Sequence, residues 1–308
     1  MKEAHTPVLL KEVLHYFEGT IKTFFEGTVG AGGHASHILH QHPEIDLYMA
    51  CDQDPYALEI AHKTLKPYEN KIRWFQGNFA NLDRFAKEAN VEKIDGFLFD
   101  LGVSSMQLDQ QERGFSFKKE AKLDMRMDVS QEMSAHSIVN DWSLEQLVDL
   151  FKNGEEPFYR RAAKSIVDAR RTGSIETTTQ LAKILEKAIP KIGKIHPATL
   201  VFQALRMAVN RELEVIEIAL KKAMDLLSPS GKIGVISFHS LEDRIVKNIF
   251  RNASEPQKNI RGQVVKEALF ERLTKKAVLP SKEEMRSNPR SRSARVRFLR
   301  KIGLFKNG

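Results

Sequence analysis

Cysteine is nearly missing from this chain: Cys51 is the single one. That excludes an internal disulfide and a zinc site built on cysteine ligands. Long apolar runs are missing too. None approaches the ~20 residues that a membrane span needs. The opening Met-Lys-Glu-Ala-His-Thr-Pro has no apolar core of a secretory signal. Internal repeats and low-complexity tracts are also lacking. These shortages fit a protein of a reducing cytoplasm with no membrane partner. Acid is scarce at one end only. Residues 251–308 hold 16 Lys/Arg against 5 Asp/Glu, so the net charge of +8 is made there and the rest of the chain is slightly acidic. A basic surface of that kind either is solvated or faces phosphates.

What is present starts with glycine. Residues 24–36 read Phe-Phe-Glu-Gly-Thr-Val-Gly-Ala-Gly-Gly-His-Ala-Ser. An apolar strand ends in Glu26, a glycine-rich turn follows, and a helical pattern begins near His34. Glycine lets a ligand approach the backbone, and the helix start offers free N–H groups. Gly30-x-Gly32-x-x-Ala35 satisfies the loose dinucleotide pattern, so a nicotinamide cofactor, S-adenosylmethionine (AdoMet) and a purely structural turn are all open on this stretch alone. Glu26 at the strand end favours AdoMet, whose amine is a cation.

Later strands repeat the pattern. Leu47–Cys51 leads to Asp52, where a doubly wound fold places an acid for a ribose hydroxyl pair. Ile72–Gln76 is a third strand, followed by Gly77-Asn-Phe79. Ile94–Asp100 is a fourth, again ending in an acid. Ligands of open parallel sheets bind at these carboxyl ends. Residues from about 106 to 200 hold no convincing strand. Leu144–Phe151, Pro157–Arg170 and Thr178–Ala188 read there as amphipathic helices. Phe202–Leu227 reads as one long helix, Lys232–Phe238 as a fifth strand, and Phe270–Val278 with Ala294–Ile302 as a terminal antiparallel pair. Thr6 and Pro7 are set to start a short helix ahead of the first strand.

Asp100 is the candidate catalytic residue. An exocyclic amine on a pyrimidine or purine ring is a poor nucleophile, and a carboxylate that accepts its N–H bond both activates it and takes up the proton. Holding the cofactor is the alternative role. His239 lies just past the fifth strand on the same sheet edge, with substrate or proton handling and plain loop anchoring as its two readings. Arg113-Gly-Phe-Ser-Phe117 and Leu123-Asp-Met-Arg-Met-Asp128 lean toward a substrate cleft. His34, His37, His40 and His42 have helical spacing without matched carboxylates, so they read as surface or loop histidines and no metal site is expected. Cys51 reads as a strand-core residue.

Several strings then carry a specific likeness: His5-Thr-Pro-Val-Leu-Leu, Glu26-Gly-Thr-Val-Gly-Ala-Gly-Gly-His34, Asp52-Gln-Asp-Pro55, Asp100-Leu-Gly-Val-Ser-Ser105, His196-Pro-Ala-Thr199, Ile236-Ser-Phe-His-Ser-Leu-Glu-Asp-Arg-Ile-Val-Lys247 and Asn288-Pro-Arg-Ser-Arg292. With them the chain resembles the bacterial 16S rRNA cytosine-N4 methyltransferase family of the MraW type over nearly its whole length. The resemblance implies an α/β fold, a doubly wound, Rossmann-like AdoMet methyltransferase sheet of seven strands formed by residues 1–105 and 201–308. Residues 106–200 would be an inserted helical domain for substrate recognition. It implies AdoMet contacts at Gly32, Gly33, His34, Asp52, Phe79, Asp100 and Gln107. It implies methyl transfer to N4 of a cytidine in the decoding region of 16S rRNA, with the small ribosomal subunit as partner. A homodimer is compatible with it. The family usually has Asp where this chain has Glu26, which keeps the charge and lengthens its reach. A nicotinamide oxidoreductase and a non-catalytic ribosome-assembly factor are the rival readings. The first leaves the Asp100 loop and the basic end unexplained. The second leaves the three strand-end acids unexplained.

Overall fold

The computed structural model describes residues 7–102, 113–191, 193 and 196–303. The chain divides into two compact units, Met1–Gly102 with Leu213–Gly308, and Val103–Glu212. The first is built on strands β1 (Thr23–Glu26), β2 (Leu47–Asp52), β3 (Ile72–Gln76), β4 (Ile94–Asp100) and β5 (Leu227–Ser237). A short separate hairpin, β6 (Gln257–Lys258) and β7 (Val264–Lys266), comes next, then β8 (Phe270–Arg272) and β9 (Arg295–Lys301). The main sheet has the order β3-β2-β1-β4-β5-β9-β8. β1 to β5 are parallel, and β9 and β8 close the edge antiparallel. This is the doubly wound, seven-stranded arrangement expected from the sequence.

The parallel strands are nearly all apolar because both faces are covered. Alternation along β1 sends Phe24 to one face and Phe25 to the other. Phe24, Tyr48 and Leu98 pack with Val13, Ile38 and Ala61 from the helices Leu10–Tyr16, Gly33–Gln41 and Pro55–Thr64. Phe25, Met49, Cys51, Phe97 and Phe99 pack on the other side with Phe85, Ile216 and Phe250 from the helices Leu82–Glu88, Glu212–Leu226 and Ser240–Ala253. Cys51 is thus a core residue, as read from the sequence. The winding puts the carboxyl ends of β1, β2 and β4 side by side.

The second unit contains the helices Ala135–Asp141, Leu144–Asn153, Tyr159–Arg170, Thr178–Ala188 and Thr199–Val209. Ser143 with Gln146 and Thr177 with Gln180 form reciprocal N-terminal caps, which fix where two of these helices start. The first of the five, missed in the sequence, has such a cap in Ser134 and Ser137.

Several expectations are corrected. The long helix over 202–227 is two helices, parted at Asn210 and Arg211, the latter in a left-handed conformation (φ 50°). Asn210 is used at that break: its side chain accepts from Met127 N and donates to the Met125 carbonyl. The helix Thr199–Val209 therefore belongs to the helical unit, with Ala204 against Gly154, and the unit runs to Glu212 rather than to 200. The early helix begins at Leu10, not at Pro7. β5 starts at Leu227, with Ser228–Gly231 bulged out between the pairs Ile94–Leu227 and Gly96–Lys232. The strand expected over 270–278 is β8 plus one bridge, Val278 to Val296. Arg113 and the Asp124–Arg126 pair brace their own loop. Arg113 donates to the carbonyls of Arg126 and Met127, and Arg126 grips Asp124 with both arms.

The basic end is also partly internal. Arg297 on β9 is buried and holds Asp243 through two hydrogen bonds, at 2.6 and 3.0 Å. Arg295 approaches the same carboxylate, and Arg300 pairs with Glu271. Those arginines stitch β9 to the helix Ser240–Ala253 and to β8. Removing one partner of such a pair strands the other charge in a low-dielectric setting. Arg297→Ala is therefore expected to lower unfolding stability by about 3 kcal/mol. Urea denaturation checks this, and the Arg297→Ala/Asp243→Ala double variant should lose clearly less than the sum of the two singles.

Candidate active site

Three carboxylates converge at the carboxyl edge of the sheet. Glu26 closes β1, Asp52 closes β2 and Asp100 closes β4. Glu26 is fully buried. The Tyr48 hydroxyl donates to its Oε2 at 2.7 Å, and its Oε1 has no hydrogen-bond partner among the described residues. Burial pushes its carboxyl well above the ordinary range, Asp100 and Asp52 push it further, and the Tyr48 bond opposes them. Asp52 is pushed up to about 6 by burial, against the pull of N–H groups. Its Oδ2 accepts from Gly30 N and its Oδ1 from Asp54 N, both at 2.9 Å. The acid thus shapes the glycine turn as well as facing it.

Asp100 is raised to about 7, first by burial and then by the charge of Glu242. Its Oδ1 is buried without a hydrogen-bond partner among the described residues. Its backbone N–H donates to Thr28 Oγ1 at 2.7 Å, tying the end of β4 to the glycine loop. His34, the second residue of the helix Gly33–Gln41, is buried with Nδ1 3.9 Å from Asp100 Oδ2. Its Nε2 bonds the Val8 carbonyl at 2.9 Å. Since a carbonyl only accepts, Nε2 carries a proton and Nδ1 is turned toward the acid. His34 is thus an interior group, against the reading of these histidines as surface or loop groups, which His37 and His40, both exposed, bear out. His42 is buried too, with Nδ1 2.9 Å from Glu44.

The glycines make room for these groups. A Cβ on Gly27 would lie 2.6 Å from the Phe99 ring and 3.0 Å from Phe79 Cβ, and one on Gly33 would lie 2.8 Å from Pro7. Gly27 therefore lets Phe79 and Phe99, 5.4 Å apart, stand against the loop. Phe79 opens the turn Phe79–Asn81, which Asn78 caps. A Cβ on Gly30 would meet nothing within 4 Å, so the turn borders open space there.

His239 stands at the start of the helix Ser240–Ala253 and forms a reciprocal cap with Glu242. Glu242 Oε2 accepts from Phe238 N and His239 N. The His239 Nδ1 accepts from Glu242 N, so the neutral ring carries its proton on Nε2, 3.1 Å from Glu242 Oε1. This favours the anchoring reading of His239. Gln107 lies outside the described residues. Sequence reasoning missed Thr28, Tyr48 and Glu242. The His-x-x-Glu spacing was a readable cap signal for Glu242. Nothing in the sequence marked the other two.

Against known proteins, the model of the MraW methylase family matches residues 2–302. The chain belongs to the MraW methylase family. It covers the relatives it matches almost end to end. It is 49% identical to the "Ribosomal RNA small subunit methyltransferase H" of Protochlamydia amoebophila, over 97% of each chain. It is 43% identical to the protein of that name from Fusobacterium nucleatum, again over 97% of each. Among solved structures, an rRNA methylase from Streptococcus thermophilus superposes with a TM-score of 0.45 at 10% identity, over 97% of this chain and 99% of that one. That likeness is too distant to bear on function. Among the described residues, no helix of this MraW-family chain is long and apolar enough to cross a membrane.

The electrostatics of the site give a test of stability. Asp100 is an acid whose proton is held more tightly in the folded chain than in the unfolded one. Folding therefore becomes less favourable as pH rises from about 4 to about 7, where the folded group ionises. Asp100→Asn should match the wild type below pH 4 and exceed its stability above pH 7, by on the order of 4 kcal/mol. Thermal melts across pH 4–8 read this directly, and an equal gap at all pH values would contradict it.

Proposed function

We propose that this chain methylates small-subunit ribosomal RNA, at the exocyclic N4 of a cytidine, in the bacterial cytoplasm. The observation that carries the reading is the buried, unpartnered Oδ1 of Asp100 at the carboxyl end of β4, beside two further strand-end acids. The family membership and the resemblance over nearly the whole chain support the substrate.

The residues fit AdoMet. Burial raises all three carboxyls, and Asp100 and Asp52 push Glu26 further, so a cation placed among them would be attracted by all three. When bound, AdoMet supplies an electrophilic methyl on a sulfonium. Asp52 suits the ribose hydroxyls, and the Phe79 ring suits one face of the adenine. Gly33 and His34 offer the first N–H groups of their helix, and Gly32, whose own N–H donates to the Val29 carbonyl, would meet the cofactor as bare backbone. In this reading the His34 ring faces Asp100, and its contact with the cofactor is through the backbone. Gln107 is retained as a cofactor contact on the resemblance alone.

The chemistry falls to Asp100. Its Oδ1 accepts an N–H bond from the cytidine amine and draws electron density onto nitrogen. The N–C bond forms as the S–C bond breaks, and the proton released from nitrogen passes to Asp100, leaving methylcytidine and S-adenosylhomocysteine. A carboxyl near 7 is suited to that exchange at neutral pH. Thr28 and His34 hold Asp100 in place. His239 and Glu242 shape the loop beyond β5. The target nitrogen is out of reach inside a stacked helix, so the cytidine must be splayed out or already single-stranded. The helical unit is assigned its recognition.

Labelled AdoMet and small subunits lacking the modification test the proposal, with the modified nucleotide mapped by mass spectrometry. Label on N4 of one cytidine is the expected result; label on another atom or no transfer refutes it. Asp100→Asn should lower kcat at least 100-fold, and calorimetry should still detect S-adenosylhomocysteine. Near-normal transfer by that variant would remove Asp100 from the mechanism.

A further inference from the structure

The hairpin β6–β7 stands apart from the seven-stranded sheet and has no role in the site. It is nonetheless well built. Gln257 pairs with Lys266, and Asn259 N donates to the Gln263 carbonyl. The Asn259 side chain accepts from Arg261 N and Gln263 N and donates to Gln263 Oε1. A pinned tip of this kind presents its side chains in a fixed array. Ile260 at the tip is fully exposed, and Val264 and Val265 are 46% and 62% exposed. Neighbouring strand residues point to opposite faces, so neither face of β7 is covered. An isolated two-stranded hairpin is marginal in water, and bare β-branched residues on both faces point to a surface that binds something.

Charge selects the partner. Residues 257–266 include Lys258, Arg261 and Lys266 and no acid. A second copy would set like charges against each other. A polyanion is attracted, and apolar side chains flanked by cations suit a nucleic-acid groove. The arginines of β9 are largely committed to Asp243 and Glu271, whereas Arg261 and Lys266 of the hairpin are exposed.

We propose that the hairpin 257–266 is an anchoring contact for small-subunit rRNA, remote from the reacting base. It rests on the substrate reading above. The helix Ser240–Ala253 starts at the carboxyl edge of the sheet and has 14 residues, which carries the chain about 21 Å away before the hairpin begins. An anchor at that distance contributes to binding and leaves the chemical step alone.

Kinetics with purified small subunits test it. Arg261→Glu/Lys266→Glu should raise KM for the subunit at least tenfold, flatten its salt dependence, and leave kcat and S-adenosylhomocysteine binding unchanged. An unchanged KM overturns the proposal. The second test uses Ile260→Cys. Cys51 is buried, so this variant has one accessible thiol for a photo-crosslinker. An adduct with rRNA is expected; adducts only with protein, with a second copy or with nothing overturn it. Failure of the wild-type protein to methylate small subunits would instead strike the substrate reading and take the anchor with it.

Discussion

Burying a carboxylate is costly unless something opposes its charge, and this fold sets three of them along one sheet edge, Glu26 fully buried and Asp52 and Asp100 half-buried. Glu26, Asp52 and Asp100 are held there by the apolar packing of β1, β2 and β4, on both faces of the sheet. Hydrogen bonds offset part of the cost at Asp52 and, through Tyr48, at Glu26. At Asp100 Oδ1 nothing within the described chain does. A site that is short of positive charge in this way is ready for a cationic ligand, and it is less stable without one. That trade is common where side chains are kept poised for chemistry.

The surrounding architecture serves that edge. The Asp52 side chain is both a strand-end acid and the acceptor that folds the turn at Gly30. Thr28 joins that turn to the backbone of Asp100. His34 is fixed by the Val8 carbonyl, so the N-terminal segment reaches Asp100 through one imidazole. Gly27 and Gly33 are required less for turning the chain than for letting Phe79, Phe99 and Pro7 come close. Small changes in these supports would alter the site without touching a ligand.

The basic end divides by function. Arg297 and its neighbours complete the sheet edge by pairing with acids of the same unit. The hairpin 257–266 exposes Arg261 and Lys266 and adds exposed apolar side chains. Counting charge along the chain could not separate the two, because pairing depends on which acid the fold brings within reach.

The sequence by itself determined the strand-end acids, the glycine turn and the doubly wound sheet. Each is a local signal: an apolar run, a punctuating glycine and an acid at a fixed offset. The family strings added the likeness to a methyltransferase. Only the tertiary structure decided which groups meet. Tyr48 bonds Glu26, Thr28 bonds the Asp100 backbone, and Asn210 spans to Met125 and Met127. It also decided that His34 and His42 are inside, that Arg297 is a structural cation, and that the long helix over 202–227 breaks at Arg211. Such contacts join residues far apart in the chain. Local patterns hold no record of them, because burial and partnership are fixed only when the elements pack.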